Sequence, residues 1–237
     1  MARAQSRSAW KVHELFATPT ALARHADLVD VADSLDVAVT TITDDAMKTL
    51  SQTVTPQGVV AVCATLDATL DEVLRGAPTL VVVLAEIRDP GNAGTILRTS
   101  VAAGATAVVF AGDSVDPYNG KCVRASAGSL FHVALVRGIS AATAIDELRA
   151  AGLNVLATDG AGEVGLDQLI DGGMLTDPTA WVFGNEARGL PGAVGGAADV
   201  RVRIAIHGQV ESLNVAAAAA ICLYASAGAQ HPGSRMS

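Results

Sequence analysis

The sequence predicts an α/β protein: a parallel sheet with helices on both faces, preceded by a small α/β unit. Three observations point there. From Leu80 onward, strand-like apolar runs (LVVVLA, AVVFAG, HVALV, NVLATD, AWVFGN, VRVRIAI) are mostly separated by helix patterns. Strand–helix alternation implies a parallel sheet. The runs are continuously apolar rather than alternating, as suits strands covered on both faces. Half of the 237 residues are apolar but only 3% are aromatic, so the core is aliphatic, with small residues that let helices pack closely on the sheet.

Taken in order, residues up to about Arg7 read as a basic tail, and VHELFA (Val12 to Ala17) as a short strand. Pro19 opens a helix pattern with apolar residues at Leu22, Ala26, Val29 and Leu35. VAVTTI is a second strand, Thr43 or Asp44 caps the helix ITDDAMKTLS, TVTPQG turns, and VVAVCA is a third strand. This βαβαβ unit occupies residues 1–64. TLDATLDEVLRGAP reads as a helix ended by Gly76 and Pro78, and residues 65–78 as a linker. The main domain then runs over 79–237, with helix patterns at NAGTILRTSVAAG, KCVRASAGSL, AATAIDELRAAG and SLNVAAAAAICLYASAG.

Charge and cysteine usage exclude several classes. The formal net charge of -8 gives no general attraction for polyanions, so nucleic-acid binding must rest on a local basic patch. Few aromatics argue against a single-strand binder built on stacking platforms. Cys63, Cys122 and Cys222 are far apart and odd in number, so neither a disulfide framework nor a metal site is expected. Reduced, buried cysteines in a cytoplasmic protein are the simpler account. MARAQSRSAW has arginines without an apolar run behind them, so no signal peptide is expected. Leu213 to Ala225 is apolar but well short of the roughly 20 residues of a membrane span.

Four stretches carry candidate chemistry. In DPGNAGTILRTS, Pro90 and Gly91 turn, Asn92 can cap the helix, Gly94 permits a close approach, and Arg98 follows one to two turns in. An ordinary capped helix is the simpler reading of that stretch alone. In GDSVDPYNGKCVRASAG, Tyr118, Asn119, Lys121, Arg124 and Ser126 form either a phosphate-contacting patch or a solvated face. Gly160, Gly162 and Gly165 in TDGAGEVG formally satisfy a dinucleotide fingerprint, but LDQLID after it is short and acidic. A plain glycine-rich loop fits that stretch better. The strongest pair is FGNEARGL and IHGQVESLN. Each follows a strand, and together they bring Gly184, Asn185, Glu186 and Arg188 beside Gly208, Glu211, Ser212 and Asn214. Strand ends that deliver a glycine and a carboxylate into a loop build ligand sites in open α/β sheets. The glycines permit close approach of a flat ligand, and an alanine-rich helix starts at the same place.

With these residues in hand, the chain resembles the SpoU (TrmH-type) family of RNA ribose 2′-O-methyltransferases. DPGNAGTILRTSVAAG, FGNEARGL and IAIHGQVESLNVAAAAAI look like its three motifs, in order, and span Asp89 to Ile221. The resemblance implies a Rossmann-like parallel sheet with a deep C-terminal trefoil knot, an exception to the rule against knots. It also implies an obligate homodimer, S-adenosylmethionine as methyl donor, and an active site shared across the dimer interface. By motif match, the donor would lie against Gly184, Ile204, Ile206 and Leu213, with backbone at Thr158 and Gly160 nearby. Asn92, Arg98, Glu186, Ser212 and Asn214 match the polar residues placed around the reacting ribose. Arg124, with Lys121 and Arg98, matches the RNA-facing side. Val12 to Cys63 is similar to the ribosomal-protein-like RNA-binding domain that often precedes this one. The helix and loop that usually come before VHELFA are missing, which leaves a shortened domain or a start upstream of Met1 as alternatives.

The implied reaction is in-line attack of a ribose 2′-oxygen on a sulfonium methyl, with no covalent intermediate. A guanidinium has a pKa above about 12. Arg98 is therefore expected to stay charged and stabilise the developing alkoxide or hold the adjacent phosphate, rather than act as the general base that the family assigns to it. Glu186 orients either Arg98 or Asn92. Ribosomal RNA is the preferred substrate over tRNA because the N-terminal unit suits that branch. Two other readings stand beside this one: a nicotinamide-dependent oxidoreductase using GAGEVG, and a catalytically silent RNA-binding factor on the same fold.

Overall fold

The structure is a computed structural model and describes residues 11–185, 189–190 and 192–233. It divides into two compact units at Leu66/Asp67.

The first unit is a three-stranded sheet with helices. Strand β1 (Val12–Ala17) is central, parallel to β2 (Ala38–Thr41) and antiparallel to β3 (Val59–Cys63). The single helix expected from Pro19 is two: α1 (Pro19–Arg24) and α2 (Asp27–Ser34). The chain leaves helical geometry at His25 (φ -123, ψ 65). The buried residues on this stretch are Ala21 and Ala32, while Val29 and Leu35 of the predicted apolar face are exposed. Breaking the helix rotates the second half, so one helical period cannot describe both. Thr18 caps α1, and Thr43 caps α3 (Asp44–Ser51) through Ala46 N at 3.2 Å.

The second unit is built on seven parallel strands. They are β4 (Leu80–Ala85), β5 (Ala107–Ala111), β6 (Ala134–Arg137), β7 (Asn154–Thr158), β8 (Val164–Gly165), β9 (Thr179–Phe183) and β10 (Val200–Arg203). Their order across the sheet is β6-β5-β4-β9-β7-β10-β8, every pair parallel. All residues of β4, β5 and β9 are buried, which is why those runs are apolar throughout. One face carries Val81, Val83, Val109, Val155 and Val182 against Ala144, Ile145 and Leu148 of α7 (Ala141–Ala150). Leu70 and Val73 of α4 (Leu70–Leu74) join the same core, so the stretch read as a linker contributes a helix packed into the second unit. Strand alternation sends Trp181 and Phe183 to the opposite face. There Trp181 Nε1 donates to Ser226 Oγ (2.8 Å) of α10 (Val215–Gln230).

Four further helices belong to this unit. Helix α5 (Pro90–Ala102) follows β4, and α6 (Gly120–Ser126) follows β5. Gly94 lets them touch: a Cβ there would sit 2.5 Å from Cys122 O and 2.6 Å from Ala125 Cβ. The close approach expected at this glycine is therefore to another backbone. Helix α8 (Leu166–Asp171) and the glycine-rich α9 (Gly192–Ala197) are short. Among the described residues no helix is long and apolar enough to cross a membrane.

From β4 the sheet grows through β5 to β6, and the chain then returns to the other side, where β9 inserts between β4 and β7. The order reverses there. In open α/β sheets, the crevice at the carboxyl ends of the strands beside such a reversal is where ligands bind.

Candidate cofactor and active site

A cavity of about 350 Å³ opens at the carboxyl ends of β9, β7 and β10, within the range of small-molecule sites. Each wall comes from a chain segment leaving a strand. Gly184 and Asn185 follow β9, Thr158 to Gly160 end and follow β7, and Ile204 and Ile206 follow β10. Ser212, Leu213 and Asn214 lead into α10, and Asn92 projects from the first turn of α5. The six residues expected against the donor (Gly184, Ile204, Ile206, Leu213, Thr158, Gly160) thus lie around one cavity, together with Asn92, Ser212 and Asn214. Arg98, Lys121 and Arg124 are exposed and do not line it. Glu186 and Arg188 lie outside the described residues. Asn185 and Glu211, both on the two turns that stood out in the sequence, also line the cavity, as does Asp159, which was not among the expected site residues. An acid at the end of a predicted strand was the available signal for Asp159.

Two helix starts converge here, α10 through its cap Asn214 and α5 through Asn92 in its first turn. Asn214 Oδ1 accepts from the N–H groups of Ala216 (2.9 Å) and Ala217 (3.4 Å), so α10 begins at Val215 and not at Ser212, where the helix pattern starts. Asn214 Nδ2 donates to Asn92 Oδ1 at 3.1 Å, tying the third motif to the first. Asn92 is not the cap of α5. Asp89 takes that place, its Oδ1 accepting from Asn92 N at 2.8 Å and its Oδ2 pairing with Lys121 Nζ at 3.2 Å. The backbone N–H of Asn92, then the Lys121 ammonium, hold the Asp89 carboxyl below the usual carboxylate range.

Each wall is fixed from behind. A Cβ on Gly184 would fall 2.6 Å from Gly189 C and Leu190 N, so the missing side chain makes room for the backbone of its own loop. No atom lies within 4 Å of a Cβ on Gly208, so that position makes no close approach at all. Asn185 Nδ2 donates to Glu86 O (2.9 Å), joining the β9 loop to the end of β4, where Glu86 adopts φ +61, unusual outside glycine. The loop after β7 is strapped to β10. Asp159 N donates to Val202 O (2.9 Å), Arg201 pairs with Glu163 and with Asp159 (3.5 Å), and Arg203 Nη1 donates to Gly162 O (3.0 Å). A Cβ on Gly162 would sit 2.7 Å from Arg201 O. Gly162 of GAGEVG therefore serves this strap, and α8 behind it has only six residues.

The lining chemistry discriminates between ligands. Val202, Ile204, Leu213, Val215 and Ala218 give apolar surface, and the backbone at Asp159–Gly160 and Ile204–Ile206 lies outside regular strands, able to read the edge of a heterocycle. The charged lining residues described are Asp159 and Glu211, with no Lys, Arg or His among them. A pyrophosphate would find no cation among the described lining residues. S-adenosylmethionine, which carries a sulfonium and an ammonium, fits the charge.

A family model described as "SpoU rRNA Methylase family" matches residues 79–224, and one described as "RNA 2'-O ribose methyltransferase substrate binding" matches residues 2–68. The chain belongs to the SpoU rRNA methylase family. It is similar to the 23S rRNA (guanosine(2553)-2'-O)-methyltransferase RlmP of Bacillus subtilis, at 36% identity over 186 residues, covering 77% of this chain and 70% of that one. It is also similar to the 23S rRNA (guanosine-2'-O-)-methyltransferase RlmB of Nitrosomonas europaea, at 32% identity over 205 residues, covering 85% and 77%. Among solved structures, the SpoU methyltransferase AviRb from Streptomyces viridochromogenes in complex with AdoMet matches with a TM-score of 0.81 and 29% identity, covering 95% of this chain and 85% of that one. Within the SpoU domain, the cavity and the three motifs coincide: Asn92 from the first, Gly184 and Asn185 from the second, and Ile204 to Val215 from the third.

Proposed function

We propose that this SpoU protein transfers the methyl group of S-adenosylmethionine to a ribose 2′-hydroxyl of ribosomal RNA. The observation that carries this is the cavity itself: all three motifs meet there, and its charged lining is acidic. The names of the relatives, 23S rRNA 2′-O-methyltransferases, support ribosomal RNA over tRNA.

S-adenosylmethionine supplies an electrophilic methyl on sulfur; this chain's residues align the 2′-oxygen with it and help the hydroxyl lose its proton. Ser212, Asn92 and Asn214 offer hydroxyl and carboxamide groups to the ribose at the cavity's polar end. Asn214, by holding Asn92 Oδ1, fixes which end of that carboxamide faces the site. Arg98 stays charged and steadies the developing alkoxide or the neighbouring phosphate. Glu186 belongs to the same set by motif.

Arg98 lies away from the cavity of its own chain, which favours an active site completed by a second copy. Helix α10 favours a homodimer as well: Ile221 and Tyr224 are 42% and 57% exposed on a helix apolar on every side. The trefoil knot belongs to this proposal, supported by two segments, after β9 and after β10, that meet at one cavity. So do cytoplasmic action and RNA binding by the first unit and by the exposed Lys121 and Arg124. Labelled-methyl transfer to total RNA, with mapping of alkali-resistant linkages, tests activity, substrate class and position together. Methyl incorporated into bases rather than ribose would end the proposal.

A further inference from the structure

The chain enters the second unit at Asp67, beside the edge strand β6. Its backbone is pinned there, with Ala68 N donating to Leu135 O at 2.8 Å. That pairing alone would hold the connector. Yet the Asp67 carboxylate accepts three further hydrogen bonds, from Arg137 Nε (2.9 Å), Arg137 Nη2 (2.7 Å) and Tyr118 Oη (3.0 Å). The Arg137 guanidinium lies 5.1 Å from the Tyr118 ring centroid and 3.6 Å from Asp116. A fork held by a carboxylate, an aromatic face and a second acid is a network, and networks hold geometry where single surface pairs do not.

The far side of the clasp is the loop between β5 and α6. Asp116 Oδ1 accepts from Tyr118 N (2.9 Å), Asn119 N donates to Asp116 O (2.9 Å), and Asn119 Oδ1 caps α6 by accepting from Lys121 N (3.0 Å). Helix α6 carries the exposed Lys121 and Arg124, and Gly94 seats it on α5, which carries Arg98. One carboxylate, through Tyr118 and Arg137, therefore braces the loop that leads into the helix presenting the basic side chains.

We propose that Asp67 is a positioning residue for RNA recognition: clasped by Arg137 and Tyr118, it holds the loop that starts the helix bearing Lys121 and Arg124. A basic face held in one geometry binds RNA more tightly than one that must be ordered on binding. The inference rests on the RNA methyltransferase reading, and it assigns Asp67 no part in the transfer step.

The test uses the full chain with Asp67→Ala and Tyr118→Phe. Steady-state methylation of ribosomal RNA should show KM for RNA raised about three- to tenfold in Asp67→Ala, with kcat at saturating RNA and the affinity for S-adenosylmethionine unchanged. Tyr118→Phe should shift KM in the same direction by less. Hydrogen exchange should show the amides of Ala68, Tyr118, Asn119 and Lys121 losing protection together in Asp67→Ala. An unchanged KM, or a fall in saturating kcat or in donor affinity, overturns the proposal. If the wild type transfers no methyl to RNA, the functional reading falls separately. Exchange then decides the clasp: joint loss of protection supports it, and α6 amides that stay protected overturn it.

Discussion

Gly94→Ala sets two effects against each other. In an exposed helix interior, alanine is better than glycine by about 0.8–1.0 kcal/mol. At position 94 the new methyl would meet Cys122 O at 2.5 Å, Ala125 Cβ at 2.6 Å and Ser126 N at 3.1 Å. Carbon atoms in contact prefer about 3.5–4.0 Å, so α5 and α6 must separate by roughly 1 Å. Two of the obstructing atoms belong to the α6 backbone, which no rotamer change can relieve. Overpacking of this kind costs about 1–3 kcal/mol, toward the upper end when backbone must move. The net expectation is a loss of about 1–2 kcal/mol, a fall in Tm of roughly 2–8 °C for a unit of this size. Gly196→Ala in α9 is the matched control. Nothing lies within 4 Å of its Cβ, so propensity acts alone and stability should rise by up to about 1 kcal/mol. Urea and thermal denaturation of the two variants beside wild type provide the assay. Gly94→Ala at or above wild-type stability would refute the steric account of α5–α6 packing.

Other expectations follow from single contacts. Ser226→Ala strands the indole N–H of the fully buried Trp181, a loss of about 1–3 kcal/mol that should appear as a Tm drop of roughly 2–12 °C with the fold intact by circular dichroism. Burial pushes the Cys122 thiol up to about 11 and raises that of Cys222 further, so an alkylating reagent at neutral pH should modify only the exposed Cys63 until the chain unfolds. Arg98→Lys should retain RNA binding and lose most turnover, since the charge persists but the fork does not; Arg98→Ala with near wild-type methylation would deny it any role. Asp67 titrates below the usual carboxylate range, chiefly because of the hydrogen bonds from Arg137. A depressed acid stabilises the fold above its unfolded pKa of about 3.9 and loses that contribution as pH falls through the folded value. The stability gap between wild type and Asp67→Ala should therefore be constant at neutral pH and shrink below about pH 4. A gap independent of pH would mean that the charge on Asp67 is not what holds the clasp.

Much of the second unit was legible because its central strands are buried on both faces. LVVVLA, AVVFAG and AWVFGN can be little else. The edge was harder. Strand β8 is two residues long, and α9 reads GAVGGA, too poor in helix formers to stand out. VRVRIAI overran: the strand stops at Arg203, and Ile204 and Ile206 spend their apolar surface on the cavity, a distinction that hydropathy does not carry. In the first unit, a helical period read across His25 predicted the wrong buried face. The site's polar residues stood out by their density on two turns. Their supports did not, since the hydrogen bond from Asn214 to Asn92 and the Asp89 cap depend on contacts across 122 residues and on which neighbour arrives first. No periodicity could tell that Gly184 and Gly94 make room for backbone.

Three motifs converge on a cavity whose described charged lining, Asp159 and Glu211, suits the cationic S-adenosylmethionine. Calorimetric titration of the protein with S-adenosylmethionine and, separately, with NAD measures this directly. The account predicts saturable binding of S-adenosylmethionine, weakened by Leu213→Asp, and no heat of binding with NAD. Binding of NAD in preference to S-adenosylmethionine, or of neither, would contradict it.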